Sequence, residues 1–185
     1  MRGMGLRRGA GGLTALVLLA ALSAAGCGYS LAGRGSFLPA SITRIGVPTF
    51  ANRTTVFNLE TQLTEKVRSE LIGRGGYDIL PEATNVDAVL TGEVASISIT
   101  PASFTTQQLA SRYVITMAAR VELRDLPGNM VLWENQNLIF RQEYEAQSGT
   151  NALDPVAFFG QDVNALDRLS TDFARTIVSA ILEAF

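Results

Sequence analysis

The sequence predicts an α+β domain: a mixed four-stranded sheet with two helices packed on one face, in the order β-α-β-β-β-α. Three observations carry this reading. Residues 112–124 alternate strictly, with Tyr113, Ile115, Met117, Ala119, Val121 and Leu123 on one side. Leu59, Leu63, Val67 and Leu71 recur every four residues among Glu, Lys and Arg. Near the end, Val156, Phe159, Val163, Leu166, Phe173, Ile177 and Ile181 keep helical spacing.

Taken in order, residues 42–47 alternate apolar and polar, a strand signal that Pro48 stops. Residues 49–55 read as a polar turn. Thr55 or Asn58 is the expected cap of the first helix, and Gly73-Arg74-Gly75-Gly76 ends it. Residues 77–80, before Pro81, read as a short extended piece. Residues 87–100 are rich in Val, Ile, Ser and Thr and predict a long strand, with Gly92 marking a bulge or a close contact.

Residues 101–110 lack charge and period, so a loop is expected before the strand at 112–124. Leu126-Pro127-Gly128-Asn129 is a turn, and its Pro-Gly pair suits type II geometry. Residues 130–144 return as a strand whose muddled alternation implies a bulge, and the hairpin register stays open. Residues 145–153 form a polar linker. Asp154-Pro155 then opens one helix that runs to the end, with Gly160 loosening its first turns. The first strand and the one after the helix are candidates for parallel pairing through a crossover.

Upstream of this domain lies a different kind of sequence. Arg2, Arg7 and Arg8 precede an uncharged Leu/Val/Ala run at residues 13–25. That run is shorter than the about 20 residues needed to span a bilayer, and small residues close it. This is the layout of a secretory signal peptide. Ala25-Gly26-Cys27 resembles a bacterial lipobox, in which the cysteine is acylated and cleavage falls just before it, with Ala24 where Leu is usual. Two other readings stay open: an ordinary cleaved leader with an incidental Cys27, or an uncleaved anchor. The lipobox resemblance implies three segments: a lipoprotein signal peptide at 1–26, a lipidated N-terminus and flexible tether at 27–40, and the α+β domain at 41–185. Gly28 is not the Asp that retains enteric-type lipoproteins in the inner membrane, which implies an outer-membrane destination.

Composition removes several function classes. Three of the 15 basic residues and none of the 17 acidic ones lie in the leader, so the remaining chain carries a net charge of −5. A general nucleic-acid binder would be basic, so no nucleic-acid partner is expected. The chain has no His and a single Cys. This argues against Ser-His-Asp and Cys-His catalysis, against the usual zinc sites and against internal disulfides. There is no Gly-x-Ser-x-Gly elbow either. No cofactor and no metal site are expected, and the protein does not read as an enzyme. Trp133 reads as core or sheet-edge packing.

Cys27-Gly28-Tyr29, Ile45-Gly46-Val47-Pro48-Thr49-Phe50, Asn52-Arg53-Thr54, the 59–71 helix with Leu63-Thr64, and Asp87-Ala88-Val89-Leu90-Thr91-Gly92 form an ordered set. Together they resemble the lipopolysaccharide-assembly lipoprotein family, LptE. The resemblance implies an outer-membrane lipoprotein, held by its N-terminal lipid, with its domain on the periplasmic side. It implies a plug and assembly partner in the lumen of an LptD-type β-barrel, with direct lipopolysaccharide binding a further expectation. A free-standing envelope binding module for another lipid, peptidoglycan or a protein complex is the alternative.

A barrel lumen is polar, which makes the polar stretches 49–55, 100–111 and 145–153 candidate docking segments. Lipopolysaccharide phosphates call for Arg, and Arg112, Arg120 and Arg124 share one strand face. The competing reading of these three is a solvated sheet face, paired with Glu122 and nearby acids.

The anchor reading has a direct consequence. Cys27→Ala is expected to abolish incorporation of labelled palmitate while leaving the circular dichroism spectrum of the domain unchanged. Labelling that survives the substitution would end that reading.

Overall fold

The computed structural model describes residues 38–106, 110–145, 154–161 and 163–185. The leader, Cys27, the tether up to residue 37 and the linker at 146–153 lie outside the described residues. Within them the order is β1 (Arg44–Gly46), β2 (Ala51–Asn52), α1 (Leu59–Arg74), β3 (Asp78–Leu80), β4 (Ala88–Phe104), β5 (Ala110–Asp125), β6 (Met130–Glu145), α2 (Pro155–Gln161) and α3 (Val163–Leu182).

The sheet is mixed, as expected, but has six strands rather than four. Its order is β3-β1-β4-β5-β6, with β2 also paired to β4. The expected pieces at 77–80 and 49–55 supply the two extra strands. β1 and β2 lie parallel to β4 in succession: Ile45 pairs with Ala88, and Ala51 pairs with Glu93. β1 is flanked by β3 on its other side, and the succession is interrupted at Pro48, which has no N–H to give. A two-residue ladder inside a polar stretch carries too little period to be seen in sequence.

β4, β5 and β6 form a long antiparallel meander. β4 is 17 residues, about 55 Å at strand rise. It does not stop at residue 100. Pro101 through Phe104 remain paired with β5, correcting the expected loop at 101–110. Beyond Val94 no strand covers the other edge of β4 among the described residues. Proline is tolerated in such an edge segment.

The hairpin register is now fixed: Tyr113 faces Tyr144, Met117 faces Phe140, and Leu123 faces Trp133. The alternation of β6 breaks twice, between Ala119/Val121 and between Leu123/Arg124, as bulges on β6. Each shifts the parity by one residue. That is why Phe140 and Tyr144 point inward on one parity while Trp133 does so on the other. The β5–β6 turn departs from expectation. Positive φ falls on Asn129 (φ 48) and not on Gly128, so the turn is not type II. The Asp125 carboxylate accepts the Gly128 N–H at 2.8 Å instead.

All helices pack on one face. α1 buries Leu59, Leu63, Val67 and Leu71, the four-residue stripe read from sequence. Asn58 stands at its N-cap position with φ 64, but its side chain makes no cap bond. At the other end Gly75 takes φ 72 and its N–H meets the Ile72 carbonyl. The expected C-terminal helix is described on both sides of residue 162, as α2 and α3. Asp154 caps the first through the Ala157 N–H at 3.0 Å. α2 places Phe158 edge-on against Tyr113, with ring centroids 5.1 Å apart, and α3 places Phe173 against Phe140 at 5.8 Å. Lys66–Asp167 at 2.7 Å and the Arg74–Ser179 hydrogen bond at 2.8 Å tie α1 to α3.

Gly92 is a close approach and not a bulge; the nearby bulge in β4 lies between Val94 and Ser96. The Phe50 ring lies where a Cβ on residue 92 would be, 2.7 Å from it. Gly92→Ala is therefore expected to lower the unfolding free energy by about 1–3 kcal/mol in urea titrations. Adding Phe50→Leu should recover part of that loss; an unaltered midpoint for Gly92→Ala would contradict the contact.

Candidate docking surface

The sheet face away from the helices is polar. On β5 the residues between the buried ones are Arg112, Val114, Thr116, Ala118, Arg120, Glu122 and Arg124. Across the ladders stand Glu93 opposite Arg120, Arg141 opposite Thr116 and Glu143 opposite Val114. The sequence placed the three arginines on one face, and the structure keeps them there.

It does not gather them. Eight residues separate Arg112 from Arg120, about 26 Å along a strand. Each meets an acid. Arg112 lies 3.1 Å from Glu143, Arg120 3.6 Å from Glu93, and Arg124 2.7 Å from Glu122. Arg124 also reaches the Asn129 side-chain oxygen at 3.3 Å. Surface pairs of this kind contribute about 0–1 kcal/mol each, so they can be exchanged for other partners at little cost in stability.

This face carries a depression of ≈ 290 Å³ where β2, β4, β5 and β6 come together. Thr91, Glu93, Arg120, Glu122 and Gln136 line it, with Ala51 at its β2 side. Glu93 is the shared acceptor: Arg53 reaches it at 3.2 Å from β2's end, and Arg120 from β5. Neither Arg53 nor Glu93 was singled out as a site residue from sequence. The signal available was Arg53 itself, inside the Asn52-Arg53-Thr54 run. Its link to Glu93 depends on β2, which period could not reveal.

A network of side chains positions this surface. From α1, Glu60, Thr64 and Arg68 lie one turn apart and face the β1–β2 connection. Arg68 donates to the Val47 carbonyl at 2.6 and 2.9 Å, Thr64 accepts the Phe50 N–H at 3.0 Å, and Glu60 accepts from the Asn52 amide at 2.8 Å. The Asn52 side-chain oxygen in turn accepts the Thr54 N–H and hydroxyl, both at 2.8 Å. That closes an Asx turn in the stretch read as a polar turn.

Asp87 holds the other end. One carboxylate oxygen accepts the backbone N–H groups of Thr43 and Arg44 at 2.9 and 2.8 Å and the Thr43 hydroxyl at 2.8 Å. Those two N–H groups first, then the hydroxyl, hold the carboxyl well below the usual carboxylate range. Elsewhere, burial and then the Asp172 carboxylate push the Tyr144 hydroxyl above the usual tyrosine range, with Arg168 lying over its ring at 5.5 Å.

Chemically the surface offers alternating guanidinium, carboxylate, amide and hydroxyl groups on a rigid sheet. Among the described residues no three acids come together as a metal site, and no helix is long and apolar enough to cross a membrane. The sequence matches the lipopolysaccharide-assembly family, LptE, over residues 42–181. The chain belongs to that family. No curated protein matches it. Solved structures are similar at low identity. A hypothetical protein of Chlamydia trachomatis is 14% identical, with 76% of this chain and 96% of that one covered and a TM-score of 0.51. Rare lipoprotein B of Shewanella oneidensis is 15% identical (77% and 96% covered, TM-score 0.49). The PelC dodecamer of Paraburkholderia phytofirmans is 16% identical (76% and 89%, TM-score 0.48).

Within this LptE-family chain, the residues that carry the family resemblance are mostly those of the network. Phe50, Asn52, Arg53, Thr64, Asp87 and Gly92 all hold β1, β2, β4 and α1 together.

The Asp87 environment predicts an acid limb in stability. A carboxyl whose pKa is lowered by folding stabilises the native state above its unfolded value, near 3.8, and that contribution is lost as pH falls toward the folded value. Asp87→Asn is expected to lower the melting temperature at neutral pH. It should also flatten the decline below about pH 4. A parallel pair of melting curves against pH would refute this.

Proposed function

We propose that this chain is an outer-membrane lipoprotein, acylated at Cys27, whose domain stands on the periplasmic side. It acts there as plug and assembly partner inside the lumen of an LptD-type β-barrel, during lipopolysaccharide transport to the surface. The family match over residues 42–181 is the observation that carries this reading. The polar sheet face supports it, because a barrel lumen is polar and asks for a polar companion. The protein works through contact and makes no bonds.

Arg112, Arg120 and Arg124 are the candidate lipopolysaccharide contacts, each exchanging its acid for a phosphate oxygen. Their spacing points to separate contacts along an extended ligand and not to one phosphate cradle.

Co-purification in mild detergent tests the proposal. A large β-barrel protein is expected in fixed ratio with the lipoprotein. Lipopolysaccharide carried along should fall several-fold when the three arginines are replaced together by Ala. A lipoprotein that emerges alone would favour a free-standing envelope binding module.

A further inference from the structure

We propose that the open edge of β4 at residues 96–100 is a strand-addition site, paired in the complex with an extended segment of the barrel partner's chain. This rests on the reading that the domain docks inside a β-barrel. Along the first part of β4 this edge is taken by β1 and then β2, ending where the Arg53 N–H meets the Val94 carbonyl at 2.9 Å. Past that point, among the described residues, β4 is paired on its β5 side alone. Alternate residues of such a strand turn their N–H and C=O groups outward.

The sheet treats its two long edges differently. β6, on the far side, carries Glu134, Arg141, Glu143 and Glu145 as well as its two bulges. Charges and bulges are the ordinary guards against strand addition. Residues 94–111, by contrast, contain no Asp, Glu, Lys or Arg. The bulge between Val94 and Ser96 bounds the unguarded stretch on one side. Pro101, with no N–H to give, bounds it on the other. What lies between runs from Ser96 to Thr100 and is rich in β-branched residues.

The apolar layer is also incomplete here. Ile97 and Ile99 stand opposite Met117 and Ile115, on the helical side of the sheet. Ile99, Met117 and Ile115 are buried, whereas Ile97 is only half-buried. On the same side lies an apolar cleft of ≈ 260 Å³, lined by Val56, Phe57, Val156, Phe159, Gly160 and Leu166. Both of its walls adjoin β4. The Val56 carbonyl accepts the Asn52 amide at 2.9 Å, and Asn52 pairs with Val94, while α2 touches β4. Phe57, on one wall, is 89% exposed.

These features name the occupant. A row of outward backbone groups is matched by another backbone, which a lipid or a phosphate does not supply. The added strand sets an apolar side chain beside Ile97 and the cleft, and small polar ones beside Ser98 and Thr100. A closed barrel wall has no edge to give. The segment is therefore a loop or chain end of the partner that projects into the lumen.

The test uses the full-length, exported protein in mild detergent, alone and with its co-purified barrel. Hydrogen exchange read by mass spectrometry is expected to slow about tenfold in the complex for amides within residues 96–100. In a second measurement, the pair Ser98→Lys and Thr100→Lys places charge at exposed positions of this edge. The pair should lower recovery of the barrel several-fold with an unchanged melting temperature, while Gln142→Lys on β6 leaves recovery as it was.

Amides at 96–100 that exchange no slower in the complex than in the isolated chain overturn the proposal and leave the lumen reading standing. Slow exchange already present in the isolated chain overturns it in favour of cover by the chain's own segments. Slow exchange that appears only as the isolated chain is concentrated overturns it in favour of a second copy. A wild-type chain that brings down no barrel overturns both readings.

Discussion

The structure depends on α1 holding the β1–β2 connection in place. Glu60, Thr64 and Arg68 each satisfy a polar group that the β1–β2 connection leaves open: the Asn52 amide, the Phe50 N–H and the Val47 carbonyl. A connection with its backbone groups unpaired beside a core would cost about 1–3 kcal/mol for each one lost. With those groups satisfied, Phe50 is free to turn its ring into the space that Gly92 leaves in β4. Helix, edge strand and central strand are then one unit.

That unit makes the sheet two-faced. On one side Tyr113, Ile115, Met117, Ala119, Val121 and Leu123 are buried on the helical face. On the other side the same strand carries arginines and a glutamate against the acids of β4 and β6. The face is held flat and exposed by strands of 16 and 17 residues, far longer than β1 to β3. Its ion pairs add little to stability. The separation of roles follows: the helical face supplies the folding energy, and the polar face stays exposed with exchangeable ion pairs. The resemblance to the LptE family resides mostly in the first role, among residues that lock the fold.

Much of the architecture was legible because the periods were long. The α1 stripe and the β5 alternation each repeat several times, and both came out as read. Asp154 caps α2 as its sequence signal implied. The misses have local physical causes. β2 is two residues, too short for any period. The strand through Pro101 looked like a loop because residues 101–110 lack charge and period, and nothing in the sequence says that this part of β4 is an edge.

By itself the sequence determined which residues face the core, where the charged row of β5 runs, and that His, disulfide and thiol chemistry have no place in the domain. These follow from side-chain period and residue type, which are local properties. Only the tertiary structure decided which acid each arginine meets and that Arg53 and Arg120 share Glu93. Those outcomes depend on register, on bulges and on strand order. Each is set by contacts between segments distant in sequence, where no local pattern reaches.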